Sequence, residues 1–220
     1  MTDNFERFPD VSFGNMVQVL GVENIEIDRG SCIGDNTWLN ICVRDDKTRM
    51  KIGKCVLVGR QSMISTGGYL EIGDYCLLAP RVYISDADHL FDDIYRPIIE
   101  QGATLNRSVI IEENCWIGIN VVITGNVNIG RGSIVAANTV VNKDIPPFSL
   151  VAGNPFQVVK LYNPKSQKWE RVRNEAEMFK VFADRNEVGL PDREEYRGTL
   201  VERSKIKRLD PILAGNGMHL

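Results

Sequence analysis

Aliphatic residues recur six positions apart along much of this chain: Ile27 and Ile33; Ile52, Val58 and Ile64; Ile72, Leu78 and Ile84; then Ile111, Ile117, Ile123, Ile129, Val135 and Val141. A period of six belongs neither to a helix nor to a simple amphipathic strand. Two positions before each, small or β-branched residues recur, among them Ser31, Thr37, Val56, Ser62, Cys76, Val82, Cys115, Val121, Val127, Ser133 and Thr139. Residues two apart on a strand share a face, so each unit sends one small and one aliphatic side chain inward. The rest of the unit turns a corner. Gly30, Asn36, Asn114, Asn120, Asn126, Gly132, Asn138 and Asp144 occupy the corner position, and these residue types tolerate a left-handed backbone. Short strands joined by equal corners close into a prism, mainly β, with three hexapeptides per coil and backbone pairing along the axis.

The interruptions carry as much information. Register slips between Leu39 and Ile52, and Gly67-Gly68 supplies a bulged corner between Ile64 and Ile72. Ile84 and Ile111 are twenty-seven positions apart, so about twenty-one residues leave the prism as an excursion over residues 85–108. Long loops on a rigid scaffold are where function tends to sit. The prolines and glycine of Ile145-Pro146-Pro147 and Val151-Ala152-Gly153-Asn154-Pro155 end the array. The expected organisation is a lead-in over 1–26, the prism over 27–160 and a helical extension over 161–220. The spacing of Trp169, Val172, Ala176 and Phe179 predicts a helix over 165–185, Asp192 to Leu209 predicts a weaker one, and Ala214 to Leu220 are expected to fray.

Composition narrows the function. The chain has 220 residues and a net charge of −3, which gives no global field to attract nucleic acid or an acidic membrane. MTDNFERFPDVSFGN has acidic residues and no apolar run, so neither a signal peptide nor a membrane span is expected there, and the expected compartment is the cytoplasm. Five cysteines without a CxxC pair read as free thiols; Cys76 and Cys115 take the small inward slot and are core rather than nucleophiles.

Cys115-Trp116-Ile117-Gly118, Gly130 to Val140, Lys143-Asp144-Ile145-Pro146-Pro147 and Val151 to Pro155 resemble the hexapeptide-repeat O-acetyltransferases related to galactoside and maltose acetyltransferases. Ile84-Ser85-Asp86-Ala87-Asp88-His89, followed by Arg96-Pro97-Ile98 and Gln101-Gly102, resembles the branch acting on cell-surface polysaccharides. The resemblance spans roughly residues 27–160. It implies a left-handed parallel β-helix, a hand opposite to that of ordinary parallel crossovers. It also implies a homotrimer with active sites between subunits, acetyl-CoA as acyl donor, a sugar or polysaccharide acceptor and no metal.

Within that resemblance His89, one of two histidines with His219, is the expected general base for a hydroxyl attacking a thioester. Either Asp86 or Asp88 would orient its imidazole, or both are solvated loop charges. Gly118, Ala136, Ala152 and Gly153 are expected to let the pantetheine arm lie close to the backbone, although ordinary corner packing would select the same residues. Lys143 and Lys160 match positions that meet the coenzyme phosphates, while Gln157 stands where family members often have arginine. Trp116 would either wall the thioester or fill a subunit contact. A zinc hydrolase of the same fold needs three histidines, which the chain lacks. An N-acetyltransferase of nucleotide-linked amino sugars and an inactive trimeric scaffold are the alternatives.

Overall fold

The computed structural model describes residues 6–209, so His219 and the stretch from Ala214 to Leu220 lie outside the described residues. Three parallel sheets form the sides of a prism. The first face stacks Ser12–Phe13, Cys32–Ile33, Leu57–Val58, Leu77–Leu78, Trp116–Ile117, Ile134–Val135 and Ser149–Gly153. The second stacks Gln18–Leu20, Trp38–Ile41, Met63–Thr66, Tyr83–Ser85, Val122–Thr124 and Val140–Val141. The third stacks Ile25–Ile27, Met50–Ile52, Tyr69–Ile72, Ser108–Ile111 and Val127–Ile129, with Ile145 bridging to Ile129. The chain visits the faces in that order, once per coil. Every inward aliphatic residue of the repeat is buried, and the small slots from Ser31 to Thr139 are buried with them.

Coils differ only at one edge. Trp116 pairs with Ile134 and Val122 with Val140, an offset of 18 residues that equals three hexapeptides. Leu57 pairs with Leu77, Cys32 with Leu57 and Leu77 with Trp116, offsets of 20, 25 and 39. The surplus leaves the prism where the second face turns into the third, between Ile41 and Met50, between Thr66 and Tyr69 and between Ser85 and Ser108.

The corner expectation is met in part. Gly30, Asn36, Asn114, Asn120, Gly132 and Asn138 have positive φ, each just before a small inward residue. Asn126 and Asp144 do not. They sit at the second-to-third corner, where their side chains accept from the backbone of a neighbouring coil: Ser108 N to Asn126 Oδ1 at 3.0 Å and Asn128 N to Asp144 Oδ1 at 2.8 Å. Cys55, Gln61, Tyr75 and Arg81 take φ of 52–61° instead, at a local cost of about 1 kcal/mol each that coil stacking overrides.

Both ends depart from expectation. The lead-in over 1–26 is not a lead-in throughout: Ser12–Phe13 pairs with Cys32–Ile33 and Gln18–Leu20 with Trp38–Asn40, so the prism starts a coil earlier. Phe13 and Val19 pack against the core there, and Phe8 closes the end 6.1 Å from the Phe13 ring. At the other end Phe156–Asn163 and Lys168–Arg171 fold back antiparallel on Ser149–Gly153. Trp169 is therefore on a strand, and the helix expected over 165–185 is instead α1, Glu175–Val188. Turn chemistry decides this: Lys165 N donates to Asn163 Oδ1 at 2.9 Å, Gln167 has φ of 56°, and the Asn174 side chain caps α1 by accepting from Glu177 N. The second helix, α2, spans Arg193–Arg203 behind an Asp192 cap. The extension from 161 is thus part strand and part helix.

The tail then retraces the prism along the third-to-first corner. Arg193 pairs with Glu113 and Glu71, and Arg197 with Asp74. Cys55 Sγ donates to Ile206 O, Leu209 N donates to Gly30 O at 2.9 Å, and the Arg208 guanidinium donates to Ser12 Oγ.

α1 is fastened to the cap by Val181, which is buried, and by Arg185, whose guanidinium donates to Tyr162 O, Pro147 O and Phe148 O at 2.8–3.0 Å. Burial pulls the Arg185 pKa down to about 10. Arg185→Met should leave those three carbonyls unanswered and cost about 3 kcal/mol, read as a lower urea midpoint with unchanged slope. An unaltered midpoint would show that α1 holds the cap without it.

Candidate active site

The excursion is a ribbon standing on a rigid base. Asp86 is buried, and its two carboxylate oxygens accept from Thr66 Oγ1 and Gly67 N at 2.7 Å and from Gly68 N and Tyr69 N at 3.0 Å. A Cβ on Gly68 would come within 2.0 Å of Arg107 O, so only glycine lets the returning strand pass. Above this base Asp88–His89 pairs antiparallel with Ala103–Thr104. Gln101 ties the tip: its Nε2 donates to Asp93 O and Arg96 O at 2.8 Å, and its Oε1 accepts from Asp93 N at 3.0 Å.

His89 is exposed on that ribbon, and among the described residues no hydrogen bond joins its imidazole to either expected aspartate. Asp86 is committed to the glycine corner. Asp88, the next residue along the strand, points to the opposite side, where its carboxylate meets Arg107 at 2.9 Å. Around the tip Phe91, Ile94, Tyr95, Ile98 and Ile99 are each more than half exposed.

The residues expected near the coenzyme fall into separate places. Gly118, Ala136 and Ala152 stack on successive coils at the first-to-second corner, with Gly118 N donating to Val135 O at 2.8 Å and Ala136 N to Val151 O at 2.9 Å. A Cβ on Gly118 would lie 2.6 Å from Ala137 N, so coil spacing alone demands glycine there. The result is a smooth column along the axis. Gly153 follows with φ of 102°, its N–H donating to Thr139 Oγ1 at 3.2 Å. Lys143 stands at the end of the prism, its ammonium 4.9 Å from the Phe156 ring, in a groove of about 570 Å³ that Gln157 and Arg173 also line. Lys160 is exposed on the returning hairpin and does not line that groove. Trp116 projects from the first face with half of its surface open.

One feature escaped the sequence reading. Asn40, Ser65, Ser85 and Thr124 stand in register on the second face, beside the base of the excursion. Asn40 Nδ2 donates to Ser65 Oγ at 3.0 Å, and the Cys42 thiol lies 3.4 Å from the same hydroxyl. Its signal was present: in each strand a polar residue directly follows the inward Leu39, Ile64, Ile84 or Ile123.

Cys76 and Cys115 are buried in the core, and burial raises the Cys76 thiol well above its ordinary range. Among the described residues no group of three or more His, Cys, Asp or Glu could hold a metal ion, and no helix is long and apolar enough to cross a membrane.

The family model "Bacterial transferase hexapeptide (six repeats)" matches residues 108–143. A Mycobacterium tuberculosis protein named as a probable acetyltransferase, Rv3034c, is 35% identical over 73% of this chain and 51% of its own length. The Escherichia coli galactoside O-acetyltransferase is 30% identical over 62% of this chain and 66% of its own length. The chain thus spans between half and two thirds of these curated relatives. Among solved structures, a galactoside acetyltransferase in complex with coenzyme A superposes with a TM-score of 0.51 at 26% identity, covering 72% of this chain and 74% of that one. With the repeat, the three parallel faces and these relatives together, the chain belongs to the hexapeptide-repeat acetyltransferase family, and its prism is the left-handed parallel β-helix of that family.

Proposed function

We propose that this chain moves an acetyl group from acetyl-CoA to a hydroxyl of a sugar or cell-surface polysaccharide precursor, as a homotrimer in the cytoplasm, with His89 as general base. The observation that carries this reading is the ribbon itself: a histidine with no hydrogen-bond partner among the described residues, projected from a base that Asp86 and Gly68 make rigid. An imidazole titrates near neutrality, so it can take the acceptor proton as the oxygen attacks the thioester carbonyl. A backbone amide stabilises the oxyanion, and the thiolate leaves. No covalent enzyme intermediate is required.

The smooth column of Gly118, Ala136 and Ala152 suits the pantetheine arm, with Gly153 beyond it and Lys143 at the prism end for a phosphate. Lys160 is a second candidate cation on the hairpin. Gln157 contributes no charge to the groove that Lys143 lines, whereas Arg173 adds a second cation beside the Asp144 and Glu175 carboxylates. The polar ladder of Asn40, Ser65, Ser85 and Thr124 offers hydroxyl-bonding groups beside the ribbon base. The exposed apolar tip from Phe91 to Ile99 supports a trimer in which each ribbon packs on a neighbour. Asp86 acts here through the backbone, as a positioning residue; Asp88 faces away from the imidazole, toward Arg107.

The test is thiol release from acetyl-CoA across a panel of sugars and polysaccharide fragments, beside calorimetric titration of coenzyme A. Acceptor-dependent release is the expected result. Absence of coenzyme binding would sink the reading in favour of a scaffold.

A further inference from the structure

Trp116 is not alone on the first face. The C-terminal hairpin and the approach to α2 build a groove of about 560 Å³ against it, lined by Trp116, Phe148, Tyr162, Trp169 and Tyr196. The rings brace one another edge-on: Phe148 and Tyr196 are 5.0 Å apart at 85°, and Tyr162 and Trp169 are 6.1 Å apart at 67°. Their orientation is thereby fixed while Trp116 and Trp169 keep 50% and 37% of their surface open.

The polar inventory of the groove is open as well. Among the described residues neither indole N–H nor the Tyr162 hydroxyl has a hydrogen-bond partner. Asn114 Nδ2 donates to the Tyr196 hydroxyl at 2.6 Å, which leaves the hydroxyl proton and the Asn114 carbonyl oxygen to spare. Among the described residues no charged side chain lines the groove. The adjacent Arg131 is already engaged by Glu112 and by the Pro191 carbonyl.

These properties select a ligand class. A nucleotide or the pyrophosphate end of a coenzyme would bring charge to a wall without counter-charge. An acyl chain would cover the indole and phenol donors and leave them unpaired. A pyranose has C–H faces that lie on aromatic rings and hydroxyls at its edge that meet scattered donors and acceptors. We infer that the groove binds a saccharide unit of the acceptor, remote from the acetylated hydroxyl, with Trp169 and Trp116 as its platform. The inference deepens the sugar-acceptor reading and rests on it. Trp116 lies two residues before Gly118, so this groove and the axial column adjoin on one coil. The tail, which retraces the prism, thereby makes the enzyme prefer oligomeric acceptors to single sugars.

Intrinsic tryptophan fluorescence tests this without any acyl donor, so its outcome is separate from that of the transferase assay. The probes are maltohexaose, cellohexaose and chitohexaose, each against its monomer, on the wild type and on Trp169→Ala. At least one hexasaccharide should perturb the emission at concentrations up to millimolar and serve as acceptor with a KM about tenfold below that of its monomer. Trp169→Ala should abolish that advantage while kcat on the monomer stays unchanged. An unaltered KM ratio, no emission change with any hexasaccharide, a Trp169-dependent change on adding coenzyme A alone, or loss of the wild-type oligomeric mass in Trp169→Ala would each overturn the inference. The last two would assign the groove to the donor or to a subunit contact.

Discussion

His89→Ala lowers acceptor-dependent thiol release by about a thousandfold and leaves melting temperature, oligomeric mass and coenzyme affinity as they were. The expected split follows from where the residue sits. Among the described residues its ring makes no hydrogen bond, and its backbone is held by pairing with Ala103, so truncation removes the imidazole and little else. A base matters in the transition state and not in the ground state, which confines the loss to turnover. Turnover within a few-fold of wild type would remove His89 from the mechanism.

Asp86→Asn has the opposite signature: stability falls by about 3 kcal/mol, measured by urea denaturation, and turnover falls with it. Asp86 accepts from three backbone N–H groups and one hydroxyl. An amide there turns its NH2 toward groups that are themselves donors, which loosens the Gly67-Gly68 corner under the ribbon and displaces His89 indirectly. Unchanged stability combined with the turnover of His89→Ala would instead put the carboxylate on the imidazole, as the sequence alone allowed.

That pair of residues shows where sequence reading stops. Inward positions from Ile27 to Val141 were legible because each coil repeats the same demand, one aliphatic and one small side chain per strand. The excursion was legible from the missing beats between Ile84 and Ile111. Which carboxylate served the imidazole was not, because Asp86 and Asp88 differ in their partners across the fold and not in their distance along the chain. Asn126 and Asp144 misled for a related reason: an Asn or Asp can turn a backbone or cap a neighbouring one, and only stacking decides. Trp169 fitted a helical spacing, yet a local turn around Asn163 and Gln167 put it on a strand, and with it the aromatic groove went unseen. The first coil was hidden by Phe13, an aromatic residue where the rest of the array uses an aliphatic one.

The tail has a mechanical meaning. A pile of coils that touch only their neighbours resembles a zipper, which opens from either end one tooth at a time. Here Arg193, Arg197, Ile206, Leu209 and Arg208 join a single strap to coils from the upper part of the pile down to Gly30 and Ser12. The strap works as a lanyard, so the first coil cannot peel away without also releasing a segment anchored on later ones, and the pile tends to open as one object.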